Sequence, residues 1–242
     1  MTGRTWAPLL CTVAVAFLVW GAAAELPAPA RLWTTALVVV LPVLMIRQAS
    51  LEEQALALPR AAIYLQSGVL LWAMAGVTAV VARTSGIAPS QLGLRGAGPL
   101  VLGGAAAATF AVGLVFVLIA DRLGLEDPPL VRHLLPHTRS EHLGFAALSL
   151  TAGFCEELVF RGFLIHTLER ASGMLWLALL LSSGLFGVLH AYQRPAGAAR
   201  AAALGMLLAA PLVLTANLWP SIVAHASLDL AAGFWLRDRP LR

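Results

Sequence analysis

Apolar residues run through this chain in long blocks separated by short polar punctuation, and that pattern sets the fold. A bilayer core about 30 Å thick takes roughly 20 apolar residues in helical form. Eight blocks approach that length: Ala7–Ala24, Leu32–Ile46, Ala61–Ala82, Pro99–Ala120, Leu143–Ile165, Met174–Ala191, Ala201–Thr215 and Trp219–Trp235. Arginine-bearing or Pro/Gly-rich connectors separate them. The longest, Asp121–His142, carries Asp121, Arg122, Glu126, Asp127, Arg132, Arg139 and Glu141. It is long for a loop in a compact bundle, so it is expected to cover a site or carry a short surface helix. The pattern predicts an all-α polytopic membrane bundle of about eight helices, with no internal repeat. It forms one integral-membrane unit, in which helices and connector at residues 1–142 precede a helical core at 143–242.

Composition agrees. Of 242 residues, 60% are hydrophobic and 12% charged, and the mean hydropathy is +0.84; soluble domains carry about 25% charged residues. A water-soluble globule and a disordered chain are excluded. All 16 basic residues are Arg, and the net charge of +4 is spread over the connectors. It therefore does not indicate a nucleic-acid partner. Cys11 and Cys155 lie in apolar runs and make no disulfide framework.

The arginines orient the bundle. With the N-terminus cytoplasmic, Arg4, Arg47, Arg60, Arg122, Arg132, Arg139, Arg194, Arg200, Arg237, Arg239 and Arg242 lie inside. Arg31, Arg83, Arg95 and Arg170 lie outside, and Arg161 falls within a span. This puts both termini in the cytoplasm. The first block also has the form of a secretory signal, with Arg4 ahead of the apolar run and Ala22-Ala23-Ala24 as a small-residue cleavage site. An uncleaved first helix is the preferred reading.

The chemistry lies in what interrupts the apolar runs. Leu143–Ile165 contains Glu156, Glu157 and Arg161, and each charge at a helix centre costs about 2.5–3.5 kcal/mol on insertion scales. Their face must look into protein or a wet cavity. Glu157 and Arg161, four apart, can pair; Glu156, five from Arg161, points elsewhere and is left unexplained by that pair. Phe186 and His190 share a face of the sixth span, and His225 and Asp229 share a face of the eighth. Taken alone, a histidine on an apolar helix is usually an interhelical hydrogen-bonder. Three adjacent spans supplying two Glu, an Arg, two His and an Asp point instead to an active site or proton path. Such a set suits water activation, with a carboxylate in an apolar pocket as general base. One imidazole would orient the water and another donate to an oxyanion, while Asp229 holds the ring of His225.

These residues resemble a known family. Glu156-Glu157-Leu158-Val159-Phe160-Arg161 fits EExxxR, Phe186 to His190 fits FxxxH, and His225 to Asp229 fits HxxxN/D. Their order on successive hydrophobic helices resembles the CPBP intramembrane proteases, which include the CaaX prenyl endopeptidase Rce1 and bacterial Abi proteins linked to bacteriocin processing and self-immunity. The resemblance runs from about Leu143 to Leu236, and Gln91-Leu92-Gly93-Leu94-Arg95 is similar to a run found upstream in that family. It implies an endopeptidase in the bacterial plasma membrane, acting on membrane-associated proteins or peptides. Glu156 would be the general base, His190 its partner, and His225 with Asp229 would serve the oxyanion region. Glu157 and Arg161 would be the structural pair, and Phe186 a further supporting residue. The family's frequent Asn is Asp229 here, which when ionised cannot donate to an oxyanion.

Rival chemistries remain open at this point. Glu156, Glu157, His190, His225 and Asp229 are acceptable zinc ligands, yet HExxH is absent and no cofactor is the favoured reading. Cys155 could be a nucleophile, but adjacent helical residues diverge by about 100°, so it is expected to pack as a small apolar residue. A proton-coupled transporter would be expected to show repeated halves, which are not evident; a noncatalytic scaffold or immunity protein is the other alternative. Within the predicted spans Glu156 lies roughly 20 Å deep at about 1.5 Å per residue, whereas His190 sits near the cytoplasmic end. For them to meet, the fifth helix must tilt or start earlier in the connector, or the sixth must be longer. Glu156, His190 and His225 are expected to converge on one cavity.

Overall fold

A computed structural model describes residues 6–48, 52–96, 98–123 and 129–236. Arg4, Glu126, Asp127, Arg237, Arg239 and Arg242, which figured in the charge reading, lie outside the described residues. The chain is an all-α membrane bundle, with no strand among the described residues. Helix α1 is Trp6–Ala22, and α2 covers residues 28–48 with a wider π-helical turn at Ala36–Val40. A short α3, Glu52–Leu56, leads into α4, Arg60–Thr84. Helix α5, Pro99–Arg122, is followed by the short α6, Pro129–Leu134. Helix α7 is Arg139–Ser172, α8 is Leu175–Leu189, α9 is Arg194–Thr215 and α10 is Trp219–Ala231. A π turn, Ala232–Leu236, extends α10.

Each predicted span coincides with a helix, but several boundaries move. Among the described helices, five are long and apolar enough to cross a bilayer: Ala28–Ile46, Arg60–Thr84, Pro99–Arg122, Arg139–Ser172 and Ala191–Thr215; Thr12–Ala22 and Leu175–Leu189 are shorter. The second span starts at Ala28, ahead of the predicted Leu32, because Pro27 and Pro29 fit the first turn of a helix. The fifth is far longer than Leu143–Ile165. Thr138 caps its start by accepting from the Glu141 amide, while Glu141 accepts from the Thr138 amide. Gly173 (φ 70°) ends it. The predicted long connector is correspondingly shortened and carries α6.

The surface is inverted relative to a soluble protein. Phe17, Leu65, Trp72 and Leu100 face outward, whereas Glu157 and Arg161 are buried. With lipid outside, helices are joined by close packing and interhelical hydrogen bonds. Trp33 Nε1 donates to Thr78 Oγ1 (2.9 Å), linking α2 to α4, and Thr34 Oγ1 donates to Thr167 Oγ1 (3.0 Å), linking α2 to α7. At the end of the bundle where α4 and α7 begin, Arg60 binds Glu141 (3.2 Å) and the His133 carbonyl (2.6 Å). Tyr64 donates to the Leu134 carbonyl (2.6 Å), so α6 is pinned to α4. Helix α6 also packs against the turn Ala191–Gln193 that follows α8.

The run Gln91–Arg95 has a structural role. Pro89–Leu92 forms a 3-10 turn closed by Gly93 in the left-handed region (φ 78°). The Gly93 carbonyl accepts from the Leu218 amide (2.8 Å), and Asn217 Nδ2 donates to the Arg95 carbonyl (2.9 Å). Asn217 Oδ1 also accepts from the Trp219 amide (2.9 Å). The run thereby anchors the start of α10, the helix that carries His225.

Candidate active site

The motif residues sit where α7 changes its winding. Its first part ends at Glu156, and Glu157–Leu164 is a π-helical segment whose side chains are all buried. Such stretches are rare and concentrate at functional sites. Ser182 of α8 donates to the Phe160 carbonyl (2.8 Å), locking α8 against the wide turn. On the other side, α10 comes very close. A Cβ on Gly153 would lie 2.8 Å from Ala226 Cβ and 3.0 Å from the Ile222 carbonyl oxygen. The missing side chain one turn before Glu157 lets His225 reach the carboxylates.

Glu157 is the hub of this contact. Its Oε1 accepts from Arg161 Nη1 (2.9 Å), the pair expected from four-residue spacing, and also faces His225 Nδ1 at 2.8 Å. A carboxylate oxygen accepts, so His225 carries its proton on Nδ1 there. The expected role of Glu157 as Arg161's partner is therefore incomplete: it also orients His225 from 68 residues away. The expectation that Asp229 holds the ring gives way to this contact, since Asp229 Oδ2 stands 3.7 Å from the other nitrogen, Nε2. Glu156 Oε2 is also 3.7 Å from Nε2. Both distances exceed a hydrogen bond, leaving Nε2 between two carboxylates and bonded to neither. Glu156, expected to point away from the pair, thus faces the same ring as Glu157. Its side chain is 17% exposed against 0% for Glu157, so of the two glutamates Glu156 is the one a substrate could reach.

Phe186 joins the second motif to this cluster. Buried on α8, its ring packs edge-on to Phe160 (5.3 Å) and His225 (6.1 Å), and lies 4.6 Å from His190. The Arg161 guanidinium sits 4.2 Å from its centroid, and Arg161 Nε donates to the Gly205 carbonyl (3.3 Å). His190 is not within the helix but caps it. Its Nδ1 bonds the Phe186 carbonyl at 2.8 Å; a carbonyl only accepts, so the proton is on Nδ1 and the Nε2 lone pair is free as a base. No hydrogen bond joins His190 to Glu156. Glu156 approaches His225, and His190 packs on Phe186, whose ring is edge-on to the same His225. Cys155 is fully buried in the apolar core, where it packs as a small apolar residue. Among the described residues, no three His, Cys, Asp or Glu side chains are grouped to hold a metal ion.

Comparison with known families decides the general class. Residues 138–231 match the family described as Type II CAAX prenyl endopeptidase Rce1-like. This segment of the chain is similar to the Rce1-like family. The match begins at the capping residue of α7 and ends with α10, so it spans all three motifs. No curated protein and no solved structure matches the chain. The Rce1-like family is a protease family, and a membrane-associated protein substrate goes with that class. The long apolar helices fit an integral membrane protein, and the matched segment resembles the CAAX-type endopeptidases.

Proposed function

We propose that this protein is an intramembrane endopeptidase that hydrolyses peptide bonds of membrane-associated proteins or peptides with a water activated by Glu156 and His190. The observation that carries the reading is the single cluster formed around His225 and Phe186 by residues from α7, α8 and α10. Glu156 is reachable, and the Nε2 of His190 is an unprotonated base. A water held between them loses a proton to Glu156 as its oxygen attacks the scissile carbonyl. With a second proton on Nε2, between the carboxylates of Glu156 and Asp229, the imidazolium of His225 presents an N–H to the oxygen that becomes negative, a role for which preorganised donors are the largest catalytic term. The proton on Glu156 then passes to the leaving amine. Glu157 and Arg161 hold His225 and Phe186 in place. No metal is assigned to this chemistry, and both termini are placed in the cytoplasm, the side favoured by the arginines.

The test is to profile new protein N-termini in membranes of cells expressing wild type or variants at matched levels. Glu156→Gln and His190→Gln are expected to abolish the termini that wild type generates, and Cys155→Ala to keep them. Loss with Cys155→Ala and retention with Glu156→Gln would replace the carboxylate with a thiol. Stoichiometric zinc in the purified protein would contradict the metal-free mechanism.

A further inference from the structure

The cluster is short of donors for an oxyanion. Glu156, Glu157 and an ionised Asp229 only accept, and His225, protonated on both nitrogens with Nδ1 engaged by Glu157, has one N–H left, at Nε2. Hydrolysis through a tetrahedral intermediate usually engages more than one donor. Just past His190, in the turn Ala191–Gln193, stands a side chain that none of the three motifs includes. The Tyr192 ring lies 5.8 Å from that of His190, whose own ring packs on Phe186 at 4.6 Å.

Its hydroxyl is oriented. Gln193 Nε2 donates to Tyr192 Oη at 3.2 Å, so the oxygen is used as an acceptor and its proton remains available to another group. The Gln193 side chain is itself seated: it lies across Gly197 in the first turn of α9, where any Cβ would collide with it. The next residue, Arg194, has φ 64° and ψ 172° and precedes a proline. Non-glycine residues rarely adopt this conformation, and such strain collects at functional sites. Helix α6 packs on the turn from outside.

We propose that Tyr192 is a further catalytic residue, whose hydroxyl donates a hydrogen bond to the oxyanion formed on the scissile carbonyl, with Gln193 as the residue that positions it. The proposal rests on the hydrolytic reading above. No bond of Tyr192 is made or broken: the O–H remains covalent throughout, and the donated hydrogen bond strengthens as charge builds on the carbonyl oxygen.

The experiment measures the rate at which wild-type-specific N-termini accumulate in membranes of cells expressing each full-length variant, with thermal melting of the purified proteins alongside. Tyr192→Phe keeps the ring and removes the donor, and is expected to lower the rate about 100-fold, in the range for loss of one oxyanion donor, with an unchanged melting temperature. Gln193→Glu replaces the donor to Tyr192 with an acceptor that captures its proton. It should therefore slow cleavage as much, and the double variant should be no slower than Tyr192→Phe alone. This equality is a signature that a merely structural tyrosine would not give. A Tyr192→Phe rate within about twofold of wild type, with Glu156→Gln inactive, overturns the role of Tyr192 and leaves the hydrolytic reading standing. Multiplying losses in the double variant would also overturn it. Full cleavage by Glu156→Gln would bring down the hydrolytic reading itself. If Tyr192→Phe fails to fold, Gln193→Glu alone decides: a folded variant with the wild-type rate overturns the proposal.

Discussion

Glu157 is fully buried and shared between two cationic or donor groups, Arg161 at 2.9 Å and His225 at 2.8 Å. Removing one member of a buried charged set strands the other, at about 3–5 kcal/mol. Arg161→Met is therefore expected to lower the unfolding free energy of the purified protein by about that amount. Adding Glu157→Gln should recover part of the loss. Unfolding at the wild-type midpoint would show that the pair does not hold the core. Phe186→Leu keeps an apolar side chain but removes the ring that His190 and Arg161 pack against. It should depress cleavage far more than stability, which a melting curve and an N-terminal profile together would separate. At this scale the Glu157–Arg161 pair was legible from four-residue spacing. The Glu157–His225 bond was not, because nothing local in a sequence ties positions 68 residues apart. Nor was Tyr192 singled out, since a lone aromatic beside a histidine carries no spacing signal.

Helix packing then decides whether these side chains meet. Gly153 lets α10 lie against α7, with Ala226 and Ile222 directly opposite. Gly153→Ala should push the helices apart at a cost of about 1–3 kcal/mol, the range for overpacking, and slow cleavage by withdrawing His225 from Glu157. Ala226→Gly in the same chain is expected to restore part of both, whereas an unaltered rate in Gly153→Ala would mean that the approach is not needed. The helices themselves were readable from hydrophobic blocks, but their ends were less so. The start of α7 had a readable signal in Thr138 and Glu141, which form a capping box. The π-helical segment at Glu157–Leu164 had none, because its apolar residues look the same under either winding. It is this winding, with the approach of α10, that brings Glu156 and Glu157 to one imidazole.

Over the whole molecule, α7 passes from the arginine-rich end, where Arg60 and Glu141 pair, to Gly173 at the other. Single cysteines introduced at His137 and at Arg194 in a Cys11→Ser, Cys155→Ser background should react with an impermeant thiol reagent from the cytoplasmic side. Cysteines at Gly86 and Gly173 should react only from the opposite side, and labelling of all four from one side would refute the topology. The bundle was visible in the pattern of apolar blocks, and the residues of the polar cluster in their charged interruptions. The convergence of α7, α8 and α10 depended on tertiary packing. Hydrolysis of peptide bonds at this convergence is best tested on the purified protein. Wild type and Glu156→Gln, each reconstituted in liposomes with membrane proteins from cells lacking this protein, would be compared for new N-termini. Termini that form with wild type and are missing with Glu156→Gln are the predicted result; the same termini from both proteins would contradict it.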